Sequence, residues 1–80
     1  MYYLYILKCA DNTLYTGITT NIERRLKEHN GSNLGAKYTA ARRPVELVYQ
    51  AEFINRSEAS KQESTIKNLS RDQKLKLITK

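Results

Sequence analysis

This 80-residue sequence has one cysteine, one proline, no tryptophan and only eight acidic side chains. The lone Cys9 excludes an internal disulfide and any metal centre built from cysteines. It lies in an apolar stretch, where a thiol behaves as a small hydrophobe. No apolar run approaches the ~20 residues that span a bilayer, and no cationic leader precedes the first apolar segment, so no membrane is expected and the compartment is the cytoplasm. Linkers, internal repeats and low-complexity tracts are absent, so one domain over residues 1–80 is expected, with a modest core. A chain that is 40% hydrophobic and 28% charged is globular rather than a disordered tail. The shortage of negative charge is the positive signal. Fourteen basic against eight acidic side chains give a net charge of +6, which favours a phosphate-rich partner because neutralised phosphates release counterions. A basic surface kept only for solubility is the bland alternative, and nucleic acid ranks ahead of it.

Tyr2 to Ala10 is apolar on both alternations, as in a strand covered on both faces. Asp11-Asn12-Thr13 reads as a turn and Leu14 to Thr19 as the returning strand. Thr20 and Glu23 fit a capping box that opens a helix to about Asn30, with Gly31 as a left-handed stop. Ser32 to Pro44 reads as a loop with room for one helical turn. From Val45 to Phe53 the odd-numbered residues are apolar in alternation, which marks a third strand. Asn55 with Glu58, and Ser70 with Gln73, open two further helices, the first to about Leu69. The order ββαβαα implies an α+β fold, a small three-stranded antiparallel sheet flanked by helices.

Three polar residues break the core-facing stripes. Ile22, Leu26 and His29 share one helical face and Arg25 borders it, whereas Arg24, Lys27 and Glu28 point elsewhere. In the next long helix Ala59, Ile66 and Leu69 form the apolar stripe, with Glu63 in its middle. Charges on such faces cost several kcal/mol unless paired or bound to metal. An Arg25–Glu63 ion pair is one explanation and a functional cleft is the other, since local inconsistencies concentrate at functional sites. Four of the six tyrosines fall in the first hairpin. Tyr5 and Tyr15 share a sheet face with Gly17 if a three-residue turn pairs Ala10 with Leu14, or if a bulge has the same effect. They lie on opposite faces if a two-residue turn pairs Ala10 with Thr13.

Tyr3-Leu4-Tyr5, then Tyr15-Thr16-Gly17, then Arg25, His29 and Glu63 resemble the ordered signature of the GIY-YIG nucleases. The likeness covers almost the whole chain and is strongest to the small stand-alone bacterial members. It implies a metal-dependent endonuclease that hydrolyses phosphodiester bonds in DNA rather than RNA, as in DNA repair, selecting by structure rather than sequence. By that resemblance Tyr5 is the general base, Tyr15 orients water or phosphate, and Arg25 stabilises the pentavalent transition state. His29 is a supporting residue, and Glu63 holds one Mg²⁺ or Mn²⁺ ion. Bare chemistry favours His29 as base, because a free phenol has a pKa of about 10 against about 6.5 for imidazole. The resemblance favours Tyr5, with Arg25 and the metal as the charges that lower it.

Tyr3-Leu4 replaces the family's Gly-Ile, and Leu75 to Thr79 lacks the asparagine that many members carry there. With no room for a separate DNA-binding domain, targeting falls to Lys37, Arg42, Arg43, surface lysines, a protein partner or a homo-oligomer. The rival reading is a catalytically weak or inactive nucleic-acid-binding module of the same fold. A small adaptor that binds protein through its aromatic strands ranks third.

Overall fold

Among the described residues seven elements form in chain order: β1 (Tyr2–Lys8), β2 (Leu14–Thr19), α1 (Ile22–Gly31), α2 (Lys37–Ala40), β3 (Glu46–Phe53), α3 (Arg56–Lys67) and α4 (Arg71–Ile78). The computed structural model describes residues 1–31 and 37–78, with residues 37 and 38 described by their backbone. The order is ββαβαα as expected, with the short α2 added inside the segment read as a loop. The part of that loop reading over residues 32–36 lies outside the described residues. The strands make one antiparallel sheet in the order β2-β1-β3, so the expected α+β architecture holds. Among the described residues no helix is long and apolar enough to cross a membrane.

The double apolar alternation of β1 places that strand at the centre. Tyr5, Leu7 and Cys9 join Val45 on one face, where Ile22 and Leu26 of α1 pack over them. Leu4 and Ile6 join Ile66 on the other, beneath α3 and α4. Each such aliphatic side chain contributes about 1.5–3 kcal/mol by leaving water.

β3 corrects the expectation of one alternating face. A register shift between Ile6 and Leu7 pairs Ile6 with Tyr49 but Leu7 with Leu47. The extra residue reverses the parity of the strand. Val45 and Leu47 therefore pack on the α1 side, while Tyr49 and Phe53 pack on the α3–α4 side.

Two features at the ends of α1 also differ from expectation. Strand β2 continues to Thr19, whose hydroxyl accepts from the Asn21 N–H at 3.2 Å. Asn21, rather than Thr20, is then the cap, its Oδ1 accepting from the Arg24 N–H at 3.0 Å. Gly31 ends the helix without entering the left-handed region, where no described glycine falls. Side chains take over the stop. Arg43 Nε donates to the His29 carbonyl at 2.6 Å, satisfying an acceptor the helix leaves open. Asn30 pairs with the Val45 backbone, donating at 3.0 Å and accepting at 2.7 Å. These contacts fix α1 against the start of β3. The other two helices begin as predicted, Asn55 accepting from the Glu58 N–H and Ser70 exchanging hydrogen bonds with Gln73.

Candidate active site

The hairpin register decides which tyrosines meet. Cys9 and Thr13 close the turn, with Cys9 N–H donating to the Thr13 carbonyl at 2.9 Å. The three loop residues are Ala10, Asp11 and Asn12, and Asn12 takes φ 68°, a left-handed value that asparagine tolerates. The loop has the expected length but sits one residue earlier than either pairing considered from the sequence. Tyr5 then pairs with Gly17 and Leu7 with Tyr15, so both phenols and Gly17 share the face beneath α1. Their ring centroids are 6.4 Å apart.

His29, fully buried on α1, closes this group. Its ring lies 5.8 Å from that of Tyr5 and 5.2 Å from that of Tyr15. Its Nε2 is 3.0 Å from Tyr5 Oη and its Nδ1 is 2.7 Å from Thr39 Oγ1 on α2. Arg25, one turn before His29, lies close enough to the Tyr5 phenol to oppose the rise in its pKa. A guanidinium has only donors, so it leaves the phenol's own proton for His29. We assign the remaining protons accordingly: the phenol donates to Nε2, and Nδ1–H donates to Thr39 Oγ1.

The chain's own groups do not, on balance, lower the Tyr5 phenol. Burial pushes the Tyr5 phenol up, and its proximity to Tyr15 and Glu63 adds to the rise, while the Arg25 contacts oppose it. Burial outweighs the cation, so Tyr5 keeps its proton at neutral pH. His29 is pulled down to about 4 by burial, with the charges of Arg25 and Arg43 adding to the effect. It stays neutral and able to accept a proton.

Arg25 and Glu63 are not each other's ion-pair partners among the described residues. Arg25 Nη1 meets Glu28 Oε1 at 3.0 Å, and Glu63 Oε2 meets Lys67 Nζ at 3.5 Å. Glu28, read as pointing elsewhere, is thus the residue that orients Arg25, and its spacing of three along the helix was the available signal. Thr39 left no such signal, because it lies in a segment without periodicity.

A sequence profile of the GIY-YIG catalytic domain matches residues 1–76 of this chain. The chain belongs to the GIY-YIG nuclease family. It is 58% identical over 77 residues to a UPF0213 protein of Staphylococcus haemolyticus, covering 96% of this chain and 93% of the relative. Identity to a UPF0213 protein of Clostridium perfringens is 56% over 79 residues, with 99% and 84% covered. The solution structure of a UPF0213 protein from Bacillus halodurans superposes with TM-score 0.63 at 45% identity, covering 99% of this chain and 84% of that one. A protein from E. faecalis, also solved in solution, gives TM-score 0.66 at 46% identity, with 98% and 82% covered.

In this GIY-YIG chain the two signature tripeptides meet at a single cross-strand pair, Tyr5 against Gly17. That contact explains the glycine. A Cβ on residue 17 would come within 2.5 Å of Tyr5 Oη and 2.7 Å of its Cζ, so any side chain there displaces the phenol from His29. Gly17→Ala is expected to cost about 1–3 kcal/mol of stability through overpacking. It should also lower cleavage about a hundredfold, as a misplacement of about 1 Å does; urea melts and single-turnover cleavage check the two effects.

Two of the remaining basic residues named from the sequence, Arg42 and Arg43, have structural partners. Arg42 Nε pairs with Asp11 Oδ2 at 3.0 Å, and its carbonyl accepts from the Ala10 N–H at 2.9 Å, which ties the hairpin turn to the segment before β3. Arg43 is engaged at the end of α1 as described. The Lys37 side chain lies outside the described residues. A metal fits Glu63 by its donor chemistry. Its side chain is 22% exposed on α3, and no three histidine, cysteine, aspartate or glutamate side chains cluster among the described residues. A lone hard oxygen donor suits Mg²⁺ or Mn²⁺, ions that take their other ligands from water and phosphate.

Proposed function

We propose that this chain is a metal-dependent endonuclease, acting as a single domain in the cytoplasm, that hydrolyses phosphodiester bonds in DNA. It selects branched, damaged or unpaired structures rather than a sequence, consistent with a part in DNA repair, and a protein partner or second copy assists targeting. The observation that carries this reading is the buried Tyr5–His29–Thr39 hydrogen-bond chain with the Arg25 guanidinium beside the same phenol.

That chain reconciles the two candidate bases. A water attacking phosphorus gives its proton to Tyr5 Oη as the phenol gives its own to His29 Nε2. Thr39 fixes the imidazole in the tautomer that leaves Nε2 open. The P–O bond to the incoming hydroxyl forms, the opposite ester bond breaks, and the leaving oxygen takes a proton from solvent. Arg25 offers paired N–H donors to the charge gathering on the phosphoryl oxygens. Substrate phosphate also offsets the Arg25 charge that depresses His29, which makes the imidazole a better acceptor when substrate is bound. Tyr15, tilted against both rings, lines the phosphate's approach. A divalent ion on Glu63 supplies charge neutralisation at the phosphate when bound.

The test is a cleavage panel of plasmid, single-stranded, flap and junction DNA together with RNA, in Mn²⁺ or EDTA. Metal-dependent nicking of DNA, lost in a folded Glu63→Ala variant, is expected. Salt-sensitive binding that survives Glu63→Ala, with no cleavage of any substrate by the wild type, would instead establish a binding module.

A further inference from the structure

Two cavities of about 280 and 220 Å³ open on the α4 side of the hairpin and share Leu14 and Arg71 in their walls. The larger has an apolar wall of Leu14, Val48, Leu75 and Ile78, with Lys8 and Arg71 beside it. The smaller adds Lys74. None of the ion pairs among the described residues involves Lys8, Arg71 or Lys74. Leu75, 37% exposed, leaves apolar surface at the cavity. A cationic border around an apolar wall matches a ligand that is anionic at one end and apolar at the other. Nucleotides have that character: phosphates suit Arg71 and Lys74, and a base face suits aliphatic side chains. The base must be unpaired, because a duplex keeps its bases inside the stack. Glu46 and Asn12, also in the larger wall, offer an acceptor and an amide to base edges.

The position relative to the phenols strengthens the case. Leu14 immediately precedes Tyr15 on β2, an edge strand of the sheet. Leu14 packs on the α3–α4 side and Tyr15 on the α1 side. A strand leaving the cavity therefore crosses the outer edge of β2 to reach Gly17 and Tyr5. From Leu14 to Gly17 is about 10 Å at ~3.3 Å per residue, or about three steps of 3.4 Å along a nucleic-acid strand.

We propose that this cavity holds an unpaired nucleotide of the substrate strand, its base against Leu14, Val48 and Leu75 and its phosphates on Arg71 and Lys74, a few nucleotides from the scissile bond. The inference rests on the nuclease reading and narrows its substrate to single-stranded or frayed DNA at this position.

The test is fluorescence anisotropy in EDTA, where no cleavage occurs, with a short labelled oligothymidylate and a blunt duplex. The double variant Arg71→Gln/Lys74→Gln should bind the single strand about tenfold more weakly, with a salt slope shallower by about 1.4, the value for two lost phosphate contacts. Leu75→Ala should weaken the single strand about fivefold and leave the duplex unchanged. In wild-type protein, amide shifts on adding oligothymidylate should fall on Leu14, Val48 and Leu75. Unchanged affinity and slope in a folded double variant overturn the proposal, as do equal losses for both DNAs in Leu75→Ala or shifts confined to α1 and α2. Any of these leaves the nuclease reading standing if the wild type still cleaves. Binding as expected with no metal-dependent cleavage sinks the nuclease reading and keeps the nucleotide site; a wild type that binds neither DNA sinks both.

Discussion

Tyr5→Phe is expected to lower the rate of DNA nicking about a thousandfold while the protein stays folded. The substitution keeps the buried ring, which is 3% exposed, and removes only the hydroxyl. That hydroxyl is the atom placed to take a proton from water, and positioned acid–base groups contribute about 10²–10⁴ in rate. Its loss also leaves His29 Nε2, now 3.0 Å from the phenol, without its donor. An unsatisfied buried acceptor costs about 1–3 kcal/mol. The variant should therefore melt at lower urea, with unchanged circular dichroism before the transition. If His29 instead took the water's proton directly, Tyr5→Phe would retain most of the wild-type rate and His29→Gln would not.

The second large effect is on stability against pH. His29 lies at about 4 in the folded protein, against an ordinary value of 6.5. The unfolded chain takes up a proton below pH 6.5 and the folded one resists until about 4, so the folded state is at full strength above pH 6.5. Stability is lost as pH falls from 6.5 to about 4, by about 3 kcal/mol from this group. Domains are stable by only about 5–15 kcal/mol, so the loss is large. Urea unfolding across this range should show it, and the same series in His29→Gln should be flatter by that amount. Because His29 is the single histidine, its imidazole resonance gives an independent midpoint, expected near 4. Arg25→Gln should raise that midpoint, since the Arg25 charge is the largest depressing influence after burial.

The features legible in the sequence were those expressed as a period or a cap. The double alternation of Tyr2 to Ala10 revealed a central strand, and Ser70 with Gln73 marked a helix start that forms as a reciprocal pair. His29 stood out because it broke an apolar stripe, and it proves to be fully buried at a hydrogen-bonded centre. What escaped was set by the backbone. The face shared by Tyr5 and Tyr15 depends on Asn12 turning left-handed, one of several turns the residues allow. The bulge in β3 leaves the sequence alternation intact while sending its two halves to opposite faces. Thr39 reaches His29 only through the tertiary placement of α2. Arg42 and Arg43 read equally well as phosphate contacts or as local fasteners, and their partners, Asp11 and the His29 carbonyl, lie 31 and 14 residues away.

The most direct measurement is nicking of supercoiled plasmid in Mg²⁺ or Mn²⁺ by the wild type and by Glu63→Ala, with both proteins shown to be folded by circular dichroism. Glu63 is largely buried, at 22% exposure, and contributes only an i,i+4 pair with the exposed Lys67 to the fold, so its removal should leave stability within about 1 kcal/mol. The account predicts metal-dependent nicking by the wild type, none in EDTA, and at least a hundredfold less by Glu63→Ala. Equal nicking by the two proteins, or a wild type that leaves every DNA intact with either metal, would contradict it.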